Sequence, residues 1–588
     1  MDAPRQPPAP KPPGVPLTDR RMFLRLCAAA GLPPMVGERL AQGVAEAGLP
    51  DLMGDHAPQQ TAGGVTRATV KAAEGMLGLQ FTDTERDQML GLVEHHLASF
   101  ALTRNLRIPY QVPPAVQFTP VLAGRTFVGS TSRPAPPRPR GSVRRPASDA
   151  ELAYLPVTEL AELIRTRRVS SVVLTRLYLA RLKRYNPALH CVVSLTEERA
   201  LRQAVEADRE IAAGRYRGAL HGVPYGVKDT LAVRDYPTTW GAVVHKDRVL
   251  SETATVVERL DRAGAVLLAK LSMGELGLSE IWYGGRIMSP WGANRGAGGS
   301  SGGSAVATAA GLAAFGIGTE TLGSIVTPAT RNGVTGLRPT FGRVSRHGAM
   351  SLCWSLDKIG PLARSVEDCA LILEAIAGPD GRDPTVTRVP YGWDPGRRLS
   401  SVRVGYFKTA FDADRPGKAR DAAALEALRS LGVKPIEVDL PTDLPVTALR
   451  LVMVEAAAAF DEMTRGNKDD LLVEQGADDW PNFFRAARFI PAVEYLQANR
   501  IRTMLMERLD AVFRKVDVFM APTFGVVLAT NLTGHPCVVV PNGFGGDNAP
   551  ASISFIGQLY AESELCTVAR AWQEATGWHQ RHPAGFAQ

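Results

Sequence analysis

The chain has 588 residues, of which 45% are hydrophobic and 21% charged, and its formal net charge is +8. This composition is typical of a globular protein with a large core, and it excludes a mainly disordered or fibrous chain. No stretch of 18 consecutive apolar residues occurs, so no membrane span is predicted.

The first 60 residues are predicted to be disordered and to contain a segment that resembles a twin-arginine export signal. Residues 1–17 are rich in proline, and the paired Arg20 and Arg21 precede a short apolar stretch that two prolines interrupt. No clear Ala-x-Ala cleavage site follows. Two locations therefore remain open, the periplasm after export through such a signal and the cytoplasm.

Residues 61–106 are predicted to form a small helical extension, and residues 107–149 a linker rich in Pro and Arg. Thr82 and Glu85 have the spacing of a capping box within the helical part. Residues 1–150 carry 17 Lys and Arg against 12 Asp and Glu, and much of the excess lies in 133–145 without interleaved aromatic residues. This pattern favours a solvated linker over a nucleic-acid-binding stripe.

Residues 150–588 show alternating strand and helix patterns, which is typical of the α/β class. Helical periodicity extends over 155–185, where Ser170 and Ser171 are candidate caps of a second helix. Further helices are predicted at 196–213, 254–263, 302–311, 368–377, 422–431 and 562–576. Strands are predicted at 220–227, 265–270, 314–318, 517–522 and 537–540.

Three short segments of this region carry the chemistry. Gly298–Ser304 and Gly318–Ile325 place Ser300 and Ser324 in glycine-rich turns, and the apolar run within Gly222–Asp229 ends at Lys228. A lysine activates a serine hydroxyl only if its amine is neutral, and burial beside apolar residues lowers its pKa. Two serines and such a lysine indicate nucleophilic acyl transfer without a histidine.

Together with Gly336–Ser345, these segments resemble the amidase signature family, and weaker likeness extends from about residue 155 to the C-terminus. The resemblance implies a mixed β-sheet flanked by helices and hydrolysis of carboxamides, or service as the amidase subunit of an amidotransferase. It also implies a Ser–Ser–Lys triad in which Ser324 is the nucleophile, Ser300 the bridging serine with a cis peptide bond, and Lys228 the base.

The resemblance further implies that the oxyanion hole consists of the backbone N–H groups of Thr321, Leu322, Gly323 and Ser324. Leu322 and Val326 depart from the commonest family pattern, in which Gly and Arg occupy these positions. We expect these departures to affect substrate preference more than activity. Ser301 and Ser304 are interpreted mainly as structural residues.

No metal or other cofactor is expected. The ten histidines and six cysteines show no metal-binding spacing, and the glycine-rich segments match neither nucleotide-binding pattern. The expected partner is a small-molecule amide, with no nucleic acid, and a homodimer is one arrangement that the sequence permits. Four aromatic residues are candidates for an acyl pocket, although a core position explains each of them as well: Trp240, Trp282, Tyr283 and Trp354.

Three other functions stay open at this level. The amidase subunit of a tRNA-dependent amidotransferase would release ammonia and pass it to a partner, but the N-terminal extension, Leu322 and Val326 count against it. A catalytically silent scaffold of the same fold would not need the intact triad. A nucleic-acid binder that uses the basic tail is the least favoured.

Overall fold

The computed structural model describes residues 64–105, 108, 112, 114–130, 143–292 and 294–586. The chain divides into two compact units, one over Met1–Arg107 and the other over Ile108–Gln588. The segment that resembles an export signal lies outside the described residues. None of the described helices is both long enough and apolar enough to cross a bilayer.

The described part of the first unit is a pair of helices, α1 (Arg67–Leu77) and α2 (Asp83–Asn105). The predicted capping box is present, because Glu85 Oε2 accepts the Thr82 N–H at 2.6 Å and Thr82 Oγ1 accepts the Glu85 N–H at 3.3 Å. A buried ion pair joins the helices, with Arg86 Nε 2.6 Å from Glu74 Oε1.

The second unit is built on one sheet of eleven strands, and a two-stranded ribbon lies beside it. The ribbon consists of β4 (Ile281–Trp282) and β5 (Gly285–Arg286). The strands of the large sheet, in chain order, are β1 (Val192–Leu195), β2 (Pro224–Lys228), β3 (Val266–Leu271), β6 (Phe315–Glu320), β7 (Thr335–Arg338), β8 (Lys358–Ala363), β9 (Val404–Phe407), β10 (Ile436–Val438), β11 (Val518–Pro522), β12 (Cys537–Phe544) and β13 (Pro550–Gly557).

Helices flank this sheet, as the sequence predicted. In chain order they are α3 (Asp149–Tyr154), α4 (Val157–Arg165), α5 (Ser171–Leu189), α6 (Glu197–Ala212), α7 (Thr255–Arg262), α8 (Gly302–Ala309), α9 (Val326–Asn332), α10 (Val366–Ile376), α11 (Lys408–Asp412), α12 (Lys418–Ser430), α13 (Val454–Ala459), α14 (Asp461–Arg465), α15 (Trp480–Ala487), α16 (Ala492–Phe513), α17 (Val527–Leu532) and α18 (Glu562–Thr576).

The large sheet is mixed. Its order is β1-β3-β2-β6-β8-β7-β12-β13-β11-β9-β10, with β2 parallel to both β3 and β6 and with β8 antiparallel to β6. Val227 pairs with Ile317 across β2 and β6. Because parallel strands end at the same edge of a sheet, this register brings Lys228 close to the end of β6.

The core of this unit consists of apolar side chains between the sheet and its helices. Its largest cluster includes buried residues of β2, β3, β6, α5 and α10, and a second cluster joins β11 and β12 to α9 and α16. Burial of this apolar surface is the main stabilising contribution to the fold. Five cysteines lie in the described residues, all of them buried and free: Cys191, Cys353, Cys369, Cys537 and Cys566.

Most predicted elements occur close to their predicted positions. The predicted run 155–185 contains α4 and a second helix, α5, and Ser170 is the cap of α5, since its Oγ accepts the Val173 N–H at 3.1 Å. The strand predicted over 314–318 extends to Glu320, because it pairs with β8 along its full length. Thr319 and Glu320 therefore belong to the sheet instead of to the loop after it.

Candidate active site

Lys228 occupies the last position of β2, and its side chain is fully buried. Its Nζ lies 2.7 Å from Ser300 Oγ, 3.1 Å from Ser301 Oγ and 2.9 Å from Thr319 Oγ1. The amine is thus surrounded by three hydroxyl groups, each of which both donates and accepts hydrogen bonds.

The surroundings of Lys228 favour its neutral form. Burial lowers the pKa of Lys228 to about 7, because the charged ammonium loses its hydration. The carboxylates of Asp357 and Glu320 oppose this effect and keep the pKa from falling further. At neutral pH a substantial fraction of the amine is therefore able to accept a proton.

Ser300 lies in the turn before α8, with a side chain that is 2% exposed, and its peptide bond with Gly299 is cis. The next residue, Ser301, holds β6 beside this turn, because its Oγ donates to the Thr319 carbonyl at 3.0 Å. Gly318 permits this close approach, since a Cβ there would lie 2.9 Å from Ser301 Oγ.

Ser324 follows β6 in the loop that leads into α9, and its side chain is partly exposed. Its carbonyl accepts the Ser301 N–H at 3.1 Å, which fixes the Ser324 loop against the Ser300 turn. Gly323 has a φ of +101°, whereas Leu322 keeps a negative φ. In the described part of the chain, the N–H groups of Leu322, Gly323 and Ser324 donate no hydrogen bond to protein.

A buried carboxylate, Glu320, holds the C-terminal end of this loop. Its Oε2 accepts the N–H groups of Ile325 at 2.8 Å and Val326 at 2.9 Å, at the start of α9. Its Oε1 pairs with Arg338 Nη1 at 2.7 Å and accepts from Asn531 Nδ2 at 2.8 Å. Burial opposes the charged form of Glu320, but the Arg338 guanidinium and the other hydrogen-bond donors outweigh this effect and lower the pKa of Glu320, so the carboxylate stays ionised.

A second carboxylate holds the other end of the loop. Asp357 Oδ1 accepts the Thr321 hydroxyl at 2.6 Å, and its Oδ2 accepts the N–H groups of Leu352 and Cys353 at 2.7 and 2.9 Å. The segment 321–325 is therefore held at both ends by buried acceptors. Its free N–H groups are preorganised, which is the condition for an oxyanion hole.

The aromatic candidates for an acyl pocket lie mostly in the core. Trp240 is buried against Phe460, with 6.2 Å between the ring centroids, and Trp282 is buried against Tyr283 at 4.7 Å. Trp354 lines a cavity together with Arg346 and residues 116–119. Within the described residues, no group of three or more His, Cys, Asp or Glu side chains could hold a metal ion.

A family model described as Amidase matches residues 173–526, which include all three residues of the predicted triad and more than half of the chain. The chain belongs to the amidase signature family. It is an amide-hydrolysing enzyme of that family, with the mixed sheet and flanking helices that the family has.

The alignments of this chain with its relatives cover nearly the whole length of each relative. A glutamyl-tRNA(Gln) amidotransferase subunit from Methylococcus capsulatus is 36% identical over 484 residues, which are 73% of this chain and 99% of that protein. The corresponding subunit from Dechloromonas aromatica is 35% identical, over 73% of this chain and 98% of that protein.

The fold is also similar to solved structures of amidases. The native peptide amidase from Stenotrophomonas maltophilia superposes with a TM-score of 0.66 at 30% identity, and the match covers 73% of this chain and 98% of that one. An amidase family protein from Bacillus anthracis gives a TM-score of 0.64 at 25% identity, over 73% of this chain and 92% of that one.

The site also contains residues that the sequence did not single out. Thr319 hydrogen-bonds to Lys228, while Arg338 and Asn531 hold Glu320, and Asp357 holds Thr321. Thr319 lies inside one of the three motifs, so its place in that motif was a usable signal. Asn531 is 211 residues from Glu320 in the chain, and no local pattern relates the two.

Proposed function

We propose that this amidase signature enzyme hydrolyses a linear carboxamide through an acyl-enzyme on Ser324, with Ser300 as proton relay and Lys228 as base. The observation that carries the proposal is the 2.7 Å contact between Lys228 Nζ and Ser300 Oγ at a fully buried position. A buried amine with a pKa of about 7 is able to exchange a proton with a hydroxyl at neutral pH.

The hydrogen bonds around Lys228 favour proton transfer between its amine and Ser300. Ser301 Oγ donates to the Thr319 carbonyl, so it accepts an N–H from the amine. With Thr319 Oγ1 as a second acceptor, the neutral amine directs its lone pair at Ser300. Ser300 then gives its proton to Lys228 as it takes the proton of the attacking Ser324 hydroxyl.

Ser300 and Lys228 transfer a proton in the opposite direction when the C–N bond breaks. An amide anion is a very poor leaving group, so the departing nitrogen needs a proton. Ser300 donates its proton to that nitrogen, and the Lys228 ammonium restores the proton to Ser300. Water then attacks the Ser324 ester with the same two residues as general base, which releases the acid and regenerates the serine.

The tetrahedral intermediate carries a negative charge on the former carbonyl oxygen. The free N–H groups of Leu322, Gly323 and Ser324, together with that of Thr321, are the proposed donors to this oxygen. In comparable sites the loss of one such donor lowers the rate by a factor of about 10² to 10³. The two carboxylates that fix the loop, Glu320 and Asp357, reduce the reorganisation that these donors need.

A second candidate function is the amidase subunit of a tRNA-dependent amidotransferase. The observation that favours it is the 33–36% identity to proteins named as subunits of glutamyl-tRNA(Gln) amidotransferase, over nearly their whole length. In that role the enzyme would release ammonia from glutamine and would need partner subunits. Residues 1–148, Leu322 and Val326 favour the free amidase.

The test is a panel of aliphatic, aromatic and peptide amides, with glutamine included, incubated with purified protein and with the Ser324→Ala variant. Release of amine or ammonia that the variant abolishes supports the proposed hydrolase. Turnover of glutamine alone, with stimulation by added amidotransferase partner subunits, would favour the second candidate. No release from any amide by folded protein would contradict the free amidase.

A further inference from the structure

Another buried lysine, Lys358, lines the same small cavity as Ser300. It is the first residue of β8, its side chain is 2% exposed, and its Nζ has no hydrogen-bond partner among the described residues. A buried donor without a partner is rare in native proteins, because its lost hydration goes uncompensated. A water molecule would supply the partner that the described residues do not give this amine.

The cavity has the size of a single water molecule, and both polar and apolar residues line it. The room in it for the centre of a water is about 10 Å³, close to the lower limit for holding one. A buried water needs two to four polar partners. Besides Lys358, the polar residues that line the cavity are Ser300, Thr319, Thr321, Arg346 and Asp357.

We propose that Lys358 binds one buried water molecule that also hydrogen-bonds to Ser300 Oγ, which makes Lys358 a positioning residue for the proton relay. This inference rests on the proposed function, since it assigns Ser300 the task of protonating the leaving nitrogen. It adds a second amine to the relay, on the opposite side of β6 from Lys228, because β6 lies between β2 and β8.

The surroundings of Lys358 fit such a role. Burial and the nearby Arg338 guanidinium lower the pKa of Lys358 well below its usual range, against the opposing effect of the Glu320 and Asp357 carboxylates. A neutral amine both donates and accepts hydrogen bonds, so it is able to hold a water in either orientation. The water in turn donates to Ser300 Oγ.

The proposed water contributes most to the rate at the step in which the C–N bond breaks. When the C–N bond breaks, the O–H bond of Ser300 breaks and an N–H bond forms on the leaving amine, so negative charge develops on Ser300 Oγ. A hydrogen bond from the water stabilises that charge until Lys228 returns its proton to Ser300. An activated ester releases an alcohol that leaves as an anion, and its cleavage needs no such proton.

The test compares an amide with the p-nitrophenyl ester of the same acyl group in Lys358→Met and Lys358→Gln. We expect Lys358→Met to lower kcat/KM for the amide by about 10- to 100-fold, part of the usual range for proton-transfer catalysis, and that for the ester by less than about threefold. Lys358→Gln keeps a hydrogen-bonding side chain and recovers part of the amide rate. The exposed Lys434→Met is the control and leaves both rates unchanged.

Equal losses of kcat/KM for the amide and the ester would overturn the inference, since a merely structural role of Lys358 beside Glu320 and Asp357 gives that result.

If Lys358→Met does not fold, a high-resolution crystal structure of the wild-type enzyme tests the inference instead. A water within hydrogen-bonding distance of both Lys358 Nζ and Ser300 Oγ supports the inference, and its absence overturns it. A wild-type enzyme that cleaves neither substrate would refute the proposed function and the relay together, whereas parallel losses in an active enzyme refute only the role of Lys358.

Discussion

Lys228 Nζ lies 2.7 Å from Ser300 Oγ at a place where neither side chain is more than 2% exposed. β2 ends at Lys228 and the Ser300 turn precedes α8, so the contact joins the sheet to the turn that leads into a packed helix. Both partners are held by rigid elements. In the proposed mechanism Lys228 takes the place that histidine has in other serine hydrolases, because burial lowers the pKa of its amine to about 7.

The first prediction concerns pH. If the neutral amine of Lys228 is the base, kcat/KM for an amide falls as pH decreases below about 7, where the amine binds a proton. The rate should level off above that pH. A pH profile of kcat/KM checks this, and a rate that stays constant well below pH 7 or falls above it would contradict a neutral lysine base.

The second prediction separates the chemical role of Lys228 from its structural role. Lys228→Met keeps an apolar chain of similar length and removes the amine, so kcat for amides should fall by at least about 10³-fold while the melting temperature changes little. Lys270→Met is the matched contrast, because Lys270 is equally buried but lies 2.7 Å from Asp229. Its removal leaves a buried carboxylate unpaired and should cost about 3–5 kcal/mol of stability.

The melting curves and kcat values of the two variants are measured side by side. A Lys228→Met enzyme that retains its amide turnover would remove Lys228 from the mechanism. A Lys228→Met enzyme as unstable as Lys270→Met would show that Lys228 mainly supports the fold.

The third prediction concerns the relay. Ser300→Ala should remain soluble and folded but lose amide turnover by about 10²- to 10⁴-fold, since the nucleophile and the leaving nitrogen lose their proton carrier. Ser304→Ala is the control, because Ser304 Oγ is also buried but donates to the Ile317 carbonyl at 2.8 Å, away from Lys228. Steady-state kinetics on one amide compares them, and wild-type rates in Ser300→Ala would refute the relay.

The local parts of this structure could be predicted from the sequence. The caps at Thr82 and Ser170 involve residues within three positions of one another, and the apolar run that ends at Lys228 is a strand by composition alone. The family resemblance then supplied the mixed sheet and the pairing of Lys228 with Ser300, which no periodicity reveals.

The parts that could not be predicted depend on contacts between distant segments. β8 has the sequence Lys-Ile-Gly-Pro-Leu-Ala, in which a charge, a glycine and a proline obscure the strand pattern, and it forms because it pairs with β6. The Glu320–Arg338 ion pair and the contact of Asn531 with Glu320 likewise appear only once the chain is folded. These long-range contacts hold the loop that bears Ser324.

The fourth prediction tests that loop. Glu320→Gln leaves Arg338 buried without its counter-ion and weakens the acceptor for the Ile325 and Val326 N–H groups. We expect a stability loss of about 3–5 kcal/mol and a fall in kcat beyond what unfolding explains. Glu562→Gln is matched to it, because Glu562 pairs with Arg343 at the same 2.7 Å and is equally buried.

Denaturant unfolding and kcat are measured for both variants under conditions where each is folded. We expect similar losses of stability in the two variants but a lower kcat only for Glu320→Gln. Equal kcat values would indicate that Glu320 does not position the loop.

The fifth prediction concerns a segment that precedes the family match. Phe118 packs on the Arg502 guanidinium, 3.5 Å from the ring centroid, and edge-on to Phe341 at 5.1 Å. Phe118→Ala should therefore destabilise the protein by about 1–2 kcal/mol. Val128→Ala, at a residue that is 94% exposed, should change stability by less than about 0.5 kcal/mol. Thermal denaturation measures the stability of both variants. A Phe118→Ala protein as stable as wild type would show that this segment does not stabilise the catalytic unit.

The proposed role of Ser324 as the nucleophile is open to a direct test by covalent labelling. Purified enzyme is treated with a fluorophosphonate, which reacts with activated serines, and the modified residue is identified by peptide mass spectrometry. We expect one adduct on Ser324, which is absent in Ser324→Ala and forms much more slowly in Lys228→Met. An adduct on another serine, or labelling that Lys228→Met leaves unchanged, would contradict it.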